Sequence, residues 1–367
     1  MTRLHIINYK NIENIDIEPH AQLNAFVGMN GMGKTNSLDA VHYLCLTKSA
    51  FTRIERNNVL SGQDYFRLRG NFKNEMFSTE IVAKLRIPNQ KIIEQDKVEI
   101  EKISEFIGKI PVVIITPDNK SELIESSVER RNFMNKALSQ TDKKYLEALM
   151  QYNRILNQRN AYLKNNHADN VDSILMEAYD KKIAPLAKII FEKRFEFVTK
   201  INVLFDEIYK NIASSNEIFK IEYESQLQDA DYRELVKSNF KKDILQKRSN
   251  IGIHRDDLIF KMNGNLLRHF GSQGQIKTFF LGIKLSEYLY LKEIKGTKPI
   301  LILDDIFDKL DKSRLQKLIS LLSNDYFGQV FISDTDKERI NKIFLASGSD
   351  YKIFEIENGS IFNEYGK

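Results

Sequence analysis

The pattern of apolar and polar positions divides the 367-residue chain into three textures. Residues 1–115 read as short strands and turns around a single helix. Leu23-Asn24-Ala25-Phe26-Val27 is a compact apolar run that stops at Gly28, and stretches 66–72, 80–87 and 97–103 carry the alternation or β-branched content of strands. Val112-Val113-Ile114-Ile115 lies between Pro111 and Pro117, which predicts a short buried strand. The texture then changes. From 129 to 213 there is one proline, Pro185, and no glycine, and Tyr145, Leu149, Tyr152, Leu156 and Leu163 recur at helical spacing. The spacing predicts a helix over 141–165, about 37 Å long at 1.5 Å per residue, then a polar break over 165–170 and a second long helix. That is a helical hairpin, too short for a coiled coil of many heptads.

A strand over 218–223 and a helix over 229–248 follow, and after Ile251 the α/β texture returns. Its expected elements are a helix over 273–294, a strand over 299–303, a helix over 313–322, a strand over 329–332 and a closing strand pair over 351–361 around Asn358-Gly359. The order predicts an α/β lobe built from both ends of the chain, 1–116 and 249–367, interrupted by a mainly helical lobe at 117–248.

Two of the predicted strands run into residues that carry chemistry. Gly28-Met29-Asn30-Gly31-Met32-Gly33-Lys34-Thr35 fits G-x-x-x-x-G-K-[ST], follows an apolar strand and leads into a helix beginning near Asn36. The glycines of such a loop let main-chain N–H groups close around phosphates at the positive end of a helix. Lys34 would reach the β- and γ-phosphates of ATP, and Thr35 would place its hydroxyl on Mg²⁺. Met29 and Met32 stand where the pattern uses only main chain. Ile300-Leu301-Ile302-Leu303 ends on Asp304-Asp305, at the strand end where α/β sheets place ligands. Asp304 is the expected Mg²⁺ ligand and Asp305 the expected general base. Lys34 and Asp304 stand 270 residues apart, which requires a large insertion between them.

A third pattern, Ser272-Gln273-Gly274-Gln275, opens a helix 29 residues before Asp304. Taken alone, Ser272 is an ordinary helix cap. Between the other two motifs it reads as the signature segment of an ABC-type ATPase, which contacts the γ-phosphate held by a second subunit.

Composition narrows the class without choosing the function. Lys and Arg number 55 against 50 Asp and Glu, a net charge of +5, so an anionic partner is permitted and not demanded. The single cysteine, Cys45, excludes an internal disulfide, and its apolar neighbours on the first helix predict a buried thiol. No run approaches the 18 apolar residues of a membrane span, and the first twenty residues have no signal-like apolar core, so a cytoplasmic protein is expected.

With these motifs in order, the chain resembles the RecF family, relatives of SMC proteins and Rad50. Leu4, Ile6, Tyr9 and Asn11 resemble that family's opening strand, Lys48-Ser49-Ala50-Phe51-Thr52-Arg53 its Ser-Phe-Arg segment, and Thr116-Pro117-Asp118 with Arg130-Arg131-Asn132-Phe133-Met134 its joining segment. Gly252-Ile253-His254-Arg255-Asp256-Asp257-Leu258 is close to its Gly-Pro-His-Arg-Asp-Asp turn, with Ile253 in place of proline. The resemblance implies an ABC-type P-loop ATPase head with an inserted helical lobe, and head-to-head homodimers formed around ATP. It implies slow, DNA-stimulated hydrolysis and binding to double-stranded DNA and single-strand/double-strand junctions. The implied partners are RecR and RecO, in loading RecA onto gaps during replication, repair and the SOS response. It also implies that Asp311, in Asp308-Lys309-Leu310-Asp311, crosses the dimer interface, and that Ser333 or Thr335 replaces the switch histidine of transport ATPases.

Two basic stretches are candidates for DNA contact. One is Arg130, Arg131, Lys136, Lys143, Lys144, Arg154, Arg159 and Lys164; the other is Lys237, Lys241, Lys242, Lys247 and Arg248. The competing reading is an OLD- or SMC-like ATPase module that acts on proteins. His254, Asp256 and Asp257 lack a further histidine or cysteine at ligand spacing, so turn chemistry is expected of them and not a metal site. Asp334 and Asp336 form an Asp-x-Asp, with too little chain after them for a Toprim nuclease domain.

Overall fold

Strands Leu23–Val27, Val112–Ile115, Ile300–Asp304 and Val330–Asp334 are buried along their whole length in the computed structural model. It describes residues 1–74, 77–88, 90–117, 123–212, 217–307, 312–323 and 326–366. Continuous burial is the mark of parallel strands covered on both faces, and it explains why these segments are unbroken apolar runs. They lie in a six-stranded sheet in the order Ser360–Gly366, Tyr351–Glu357, Leu23–Val27, Val330–Asp334, Ile300–Asp304, Val112–Ile115. All neighbours are parallel except the Tyr351–Glu357/Ser360–Gly366 hairpin.

A second six-stranded sheet, antiparallel throughout, runs Ile12–Ile17, Arg3–Tyr9, Tyr65–Lys73, Ser78–Arg86, Gln90–Gln95, Val98–Glu99. Tyr65–Lys73 alternates buried and part-exposed positions, as a strand covered on one face does. Helix Lys34–Leu46 packs against both sheets, and eleven of its residues are buried. A helix enclosed on all sides has no polar face to show, and here it joins the two sheets through one apolar core containing Leu38, Val41, Leu44, Phe66 and Phe331. Cys45 belongs to that core, and burial pushes its thiol up to about 12.

The strand expected over 97–103 is cut down to Val98–Glu99. Asp96 and Lys97 both have positive φ, 51° and 68°, so the chain turns back at that point. Val98–Glu99 pairs with Gln95 and Glu94, and a short helix starts at Ile103. The helix expected over 141–165 is also modified. Asp142 ends one helix, Ser127–Thr141, and caps the next, Lys143–Asn165, by accepting from the Tyr145 N–H at 3.0 Å.

The chain forms two compact units: Met1–Lys120, Ile208–Ser214 and Lys277–Lys367 in one, Ser121–Glu207 and Ser215–Ile276 in the other. The inserted unit therefore runs on to Ile276, beyond the expected 248. The reason is a three-stranded sheet in which Asp257–Met262 pairs antiparallel with Phe219–Glu224 and Asn265–Leu266. Two ion pairs hold the residues before and at the start of that strand. Arg130 bonds both carboxylate oxygens of Asp257, at 2.6 and 2.8 Å. Arg194, 1% exposed, donates to Asp256 Oδ2 and the Ile253 carbonyl, both at 2.7 Å. A third pair, Arg159 with Asp180 and Asp243, is buried deeper in the same unit.

His254 is fixed from both sides. Its Nε2 lies 3.1 Å from the Ser249 carbonyl and its Nδ1 2.7 Å from the Tyr152 hydroxyl. A carbonyl only accepts, so Nε2 carries a proton, and the Tyr152 hydroxyl can donate to a bare Nδ1, which leaves the ring neutral at pH 7 given its burial. Burial lowers the imidazole to about 4. In the unfolded chain it titrates near 6.5, so its contribution to stability is complete above pH 6.5 and is lost as the pH falls toward 4. At pH 5 the loss is about 2 kcal/mol. Urea denaturation at pH 7 and pH 5 should therefore show a drop in the wild type that His254→Gln largely removes. Equal drops in the two proteins would disprove the neutral ring.

Candidate functional site

Strand register builds the site. Asp304 stands opposite Ser333, and Asp334 stands opposite Val27, so the ends of three neighbouring parallel strands lie level with one another. Gly28 leaves the first of these ends, and the loop from Gly28 to Gly33 returns into helix Lys34–Leu46. Thr35 and Asp304, 269 residues apart in sequence, meet there: Thr35 Oγ1 donates to Asp304 Oδ1 at 2.9 Å. Ser333, wholly buried, donates to the same oxygen at 2.6 Å and accepts from the Asp305 N–H at 2.9 Å. Asp305 holds φ at +47°, a conformation that costs a non-glycine residue free energy, and the bond to Ser333 helps to fix it.

The Lys34 ammonium donates to the carbonyls of Gly28 and Met29, at 2.8 and 3.0 Å, which puts its charge inside the loop. Gly33 has φ +114°, and a Cβ at Gly28 would lie 2.3 Å from the Ile356 carbonyl oxygen. The loop is thus shaped by strand Tyr351–Glu357 running alongside it. The hairpin turn completes this wall: the Gly359 N–H donates to the Met32 carbonyl at 2.9 Å. Met29 is 76% exposed, so it contributes main chain to the loop, whereas the Met32 side chain packs against the core and its sulfur accepts from the Asn358 N–H at 3.3 Å.

Asn11 is a member of the site that motif reading does not reach. It donates to the Gly31 carbonyl at 2.7 Å and accepts from the Asn36 side chain at 2.6 Å, so it holds the loop from outside. Asp39 is another. It is wholly buried and accepts from Tyr9 at 2.7 Å, Ser49 at 2.6 Å and the Ala50 N–H at 2.7 Å, with Lys10 ion-paired at 2.6 Å. Its sequence signal is a carboxylate that opens the apolar second half of the helix, next to Leu38, Ala40 and Val41.

The donor set fits a magnesium–nucleotide pair. A hydroxyl and a carboxylate, Thr35 and Asp304, are the hard oxygen ligands that Mg²⁺ takes. Burial, with the Asp305 charge adding to it, holds the Asp304 carboxyl above the usual carboxylate range, against the hydrogen bonds from Ser333 and Thr35. A cation beside it would favour the ionised form. Asp334 and Asp336 are occupied otherwise. Asp334 pairs with Arg339, and Asp336 caps helix Lys337–Ser347. Thr335 is exposed, and of the two switch candidates only Ser333 touches the acidic pair.

Ser272 and Gln275 form a reciprocal capping box in the second unit. The Ser272 N–H donates to Gln275 Oε1 at 2.8 Å, and the Gln275 N–H donates to Ser272 Oγ at 3.2 Å. Ser272 and Gln273 are exposed, and Gln275 also bonds Glu217. Asp311, with the segment from Asp308, lies outside the described residues. Two residues of the first basic stretch are not available to a partner, since Arg130 and Arg159 are spent on the buried pairs described above, at 5% and 0% exposure. Arg131 is partly committed, donating to the Asp256 carbonyl at 2.7 Å.

An AAA domain family model matches residues 3–251. A curated DNA replication and repair protein RecF from Cytophaga hutchinsonii is 39% identical over 361 residues, covering 98% of this chain and 95% of that protein. The chain belongs to the RecF family. The solved structure of the recombination mediator protein RecF-ATP in the RecFOR pathway is 26% identical and superposes with a TM-score of 0.86, covering 99% of this chain and 97% of that one. An Smc head bound to the C-winged helix domain of ScpA shares the fold at 14% identity, with a TM-score of 0.59 over 100% of this chain and 97% of that one. The fold is therefore that of the SMC-like ATPase heads, and the role is of the RecF type, in DNA repair and recombination. Among the described residues no helix is long and apolar enough to cross a membrane.

Ser333→Ala would leave the half-buried Asp305 N–H without its acceptor and remove a donor to the buried Asp304 carboxylate, a cost of about 1–3 kcal/mol. Chemical denaturation should show that loss. An unchanged midpoint would mean that Ser333 does not hold the acidic pair.

Proposed function

We propose that this chain is an ATP-dependent, DNA-binding recombination mediator. In this reading it binds duplex DNA and single-strand/double-strand junctions without sequence preference, and works with RecR and RecO to place RecA on gapped DNA. The observation that carries the reading is the meeting of Lys34, Thr35, Asp304 and Asp305 at one sheet end, in a chain of the RecF family. ATP and Mg²⁺ are the implied ligands, and the metal, when bound, supplies positive charge against the phosphates.

The chain's own residues divide the work. The main-chain N–H groups from Met29 to Lys34 cradle phosphate at the start of helix Lys34–Leu46. Lys34 exchanges two carbonyl partners for phosphate oxygens, and Thr35 and Asp304 hold the metal. Asp305, fixed by Ser333, takes a proton from the attacking water as general base. Ser272 and Gln273 are exposed, and the segment to Gln275 is already ordered by its own cap, so it can meet nucleotide held by a second copy. Hydrolysis is then a slow switch on a homodimer, stimulated by DNA.

Lys34→Met should weaken ATP binding by about 10- to 150-fold, the range for losing a charged hydrogen-bond donor. Retained tight binding would remove Lys34 from the site. Light scattering should show monomers becoming dimers on addition of ATP. Ser272→Arg should prevent this and leave ATP affinity intact. An ATP-bound wild type that stays monomeric at micromolar concentration would end the composite-site reading. Duplex binding should fall steeply with salt. Absence of binding, or a flat salt response, would favour the protein-directed ATPase module.

A further inference from the structure

The turn Gly252–Leu258 carries more fixing interactions than its length requires. His254 is held by Tyr152 and Ser249, Asp256 by Arg194, and Asp257 by the two-pronged bond from Arg130. All three side chains turn inward. Arg255, between them, turns outward: it is exposed and has no side-chain partner among the described residues.

Charge counting gives that arrangement a direction. Four guanidinium groups gather at the turn, from Arg130, Arg131, Arg194 and Arg255. The carboxylates are Asp256 and Asp257 in the turn and Glu224 opposite Asp257 in the neighbouring strand. Asp256 is engaged by Arg194 and Asp257 by Arg130. His254 is neutral and adds nothing. The two guanidinium groups bonded to no carboxylate are Arg255 and Arg131, whose bond goes to a main-chain carbonyl. Burial and the like charges of Arg194 and Arg255 lower the Arg131 pKa, against the pull of Asp257 and Asp256. Lys247 and Arg248, both exposed, lead into the same segment, and the His254–Ser249 bond ties that segment to the turn.

Buried ion pairs contribute little net stability compared with apolar packing of the same volume, and their better-attested use is to fix one arrangement. Here the arrangement they fix is the placement of one outward guanidinium with a second beside it. A guanidinium presents a rigid fork of donors that matches a phosphate, and a pre-set fork loses less freedom on binding than a mobile one.

We infer that Arg255, with Arg131 beside it, forms an oxyanion site on the second unit that takes a backbone phosphate of duplex DNA. The inference rests on the DNA-binding reading above. It adds Arg255, which lies in neither basic stretch of the sequence, to Arg131, which lies in the first.

The test is binding of a labelled duplex of about 30 base pairs, followed by fluorescence anisotropy from 50 to 200 mM salt. Arg255→Gln should weaken binding about five- to tenfold at the low-salt end. It should also reduce the steepness of log K against log salt by about 0.9, the loss of one phosphate contact. Arg255→Lys should keep the steepness and recover part of the affinity, since the charge survives without the fork. Both variants should melt with the wild type, because the residue is exposed. A wild type that does not bind duplex would overturn the DNA-binding reading and this inference with it. A wild type that binds, with Arg255→Gln unchanged in affinity and slope, would overturn the inference alone. Loss of ATP affinity in Arg255→Gln with the DNA slope intact would assign the site to a nucleotide phosphate, and that too would overturn it.

Discussion

The structure depends on the level at which three parallel strands end. Because Asp304 stands level with Ser333, one position before Asp334 and Val27, a glycine loop, a buried carboxylate and a serine come within hydrogen-bond reach. The two contacts made by Ser333 then hold the pair of acidic residues that differ most in environment. Asp304 is buried and accepts twice at one oxygen; Asp305 is bent into a positive φ and partly open. A shift of one residue in the register between Val330–Asp334 and Ile300–Asp304 would separate these groups and turn each side chain to the opposite face of the sheet.

Much of this was legible in the sequence. Parallel strands buried on both faces write themselves as unbroken apolar runs, so the four core strands and the residues at their ends could be read directly. The phosphate loop follows a local pattern and could be read for the same reason. What stayed hidden was set by contacts between distant segments. Asn11 belongs to the opening segment that carries the family resemblance, but its bond to Gly31, made from the turn between Arg3–Tyr9 and Ile12–Ile17, is not written there. The tight fit at Gly28 is imposed by Ile356, which follows it by more than three hundred residues. The hairpin at Asp96-Lys97 was missed because neither residue is glycine or asparagine, although both adopt the left-handed conformation.

The inserted unit shows the same limit in another form. Its helices announce themselves by periodicity and by the lack of glycine, but its extent does not. Arg130 and Arg159 read as surface charge because a linear run of basic residues carries no information about burial. Each proves to be the buried partner of a later carboxylate, and the Arg130–Asp257 pair, with the three-stranded sheet, ties the stretch after 248 into the inserted unit. Charge patterning along a chain thus points to DNA contacts only after the internally paired residues have been subtracted.

The wall that strand Tyr351–Glu357 provides for the phosphate loop also constrains how the protein can be made. Leu23–Val27 precedes both strands that flank it, Val330–Asp334 and Tyr351–Glu357, by more than three hundred residues. The loop therefore exists as a sequence before it exists as a shape, and pairings of such long range are slow to form. A phosphate cradle at Gly28 takes its shape only once residues that distant have paired beside it.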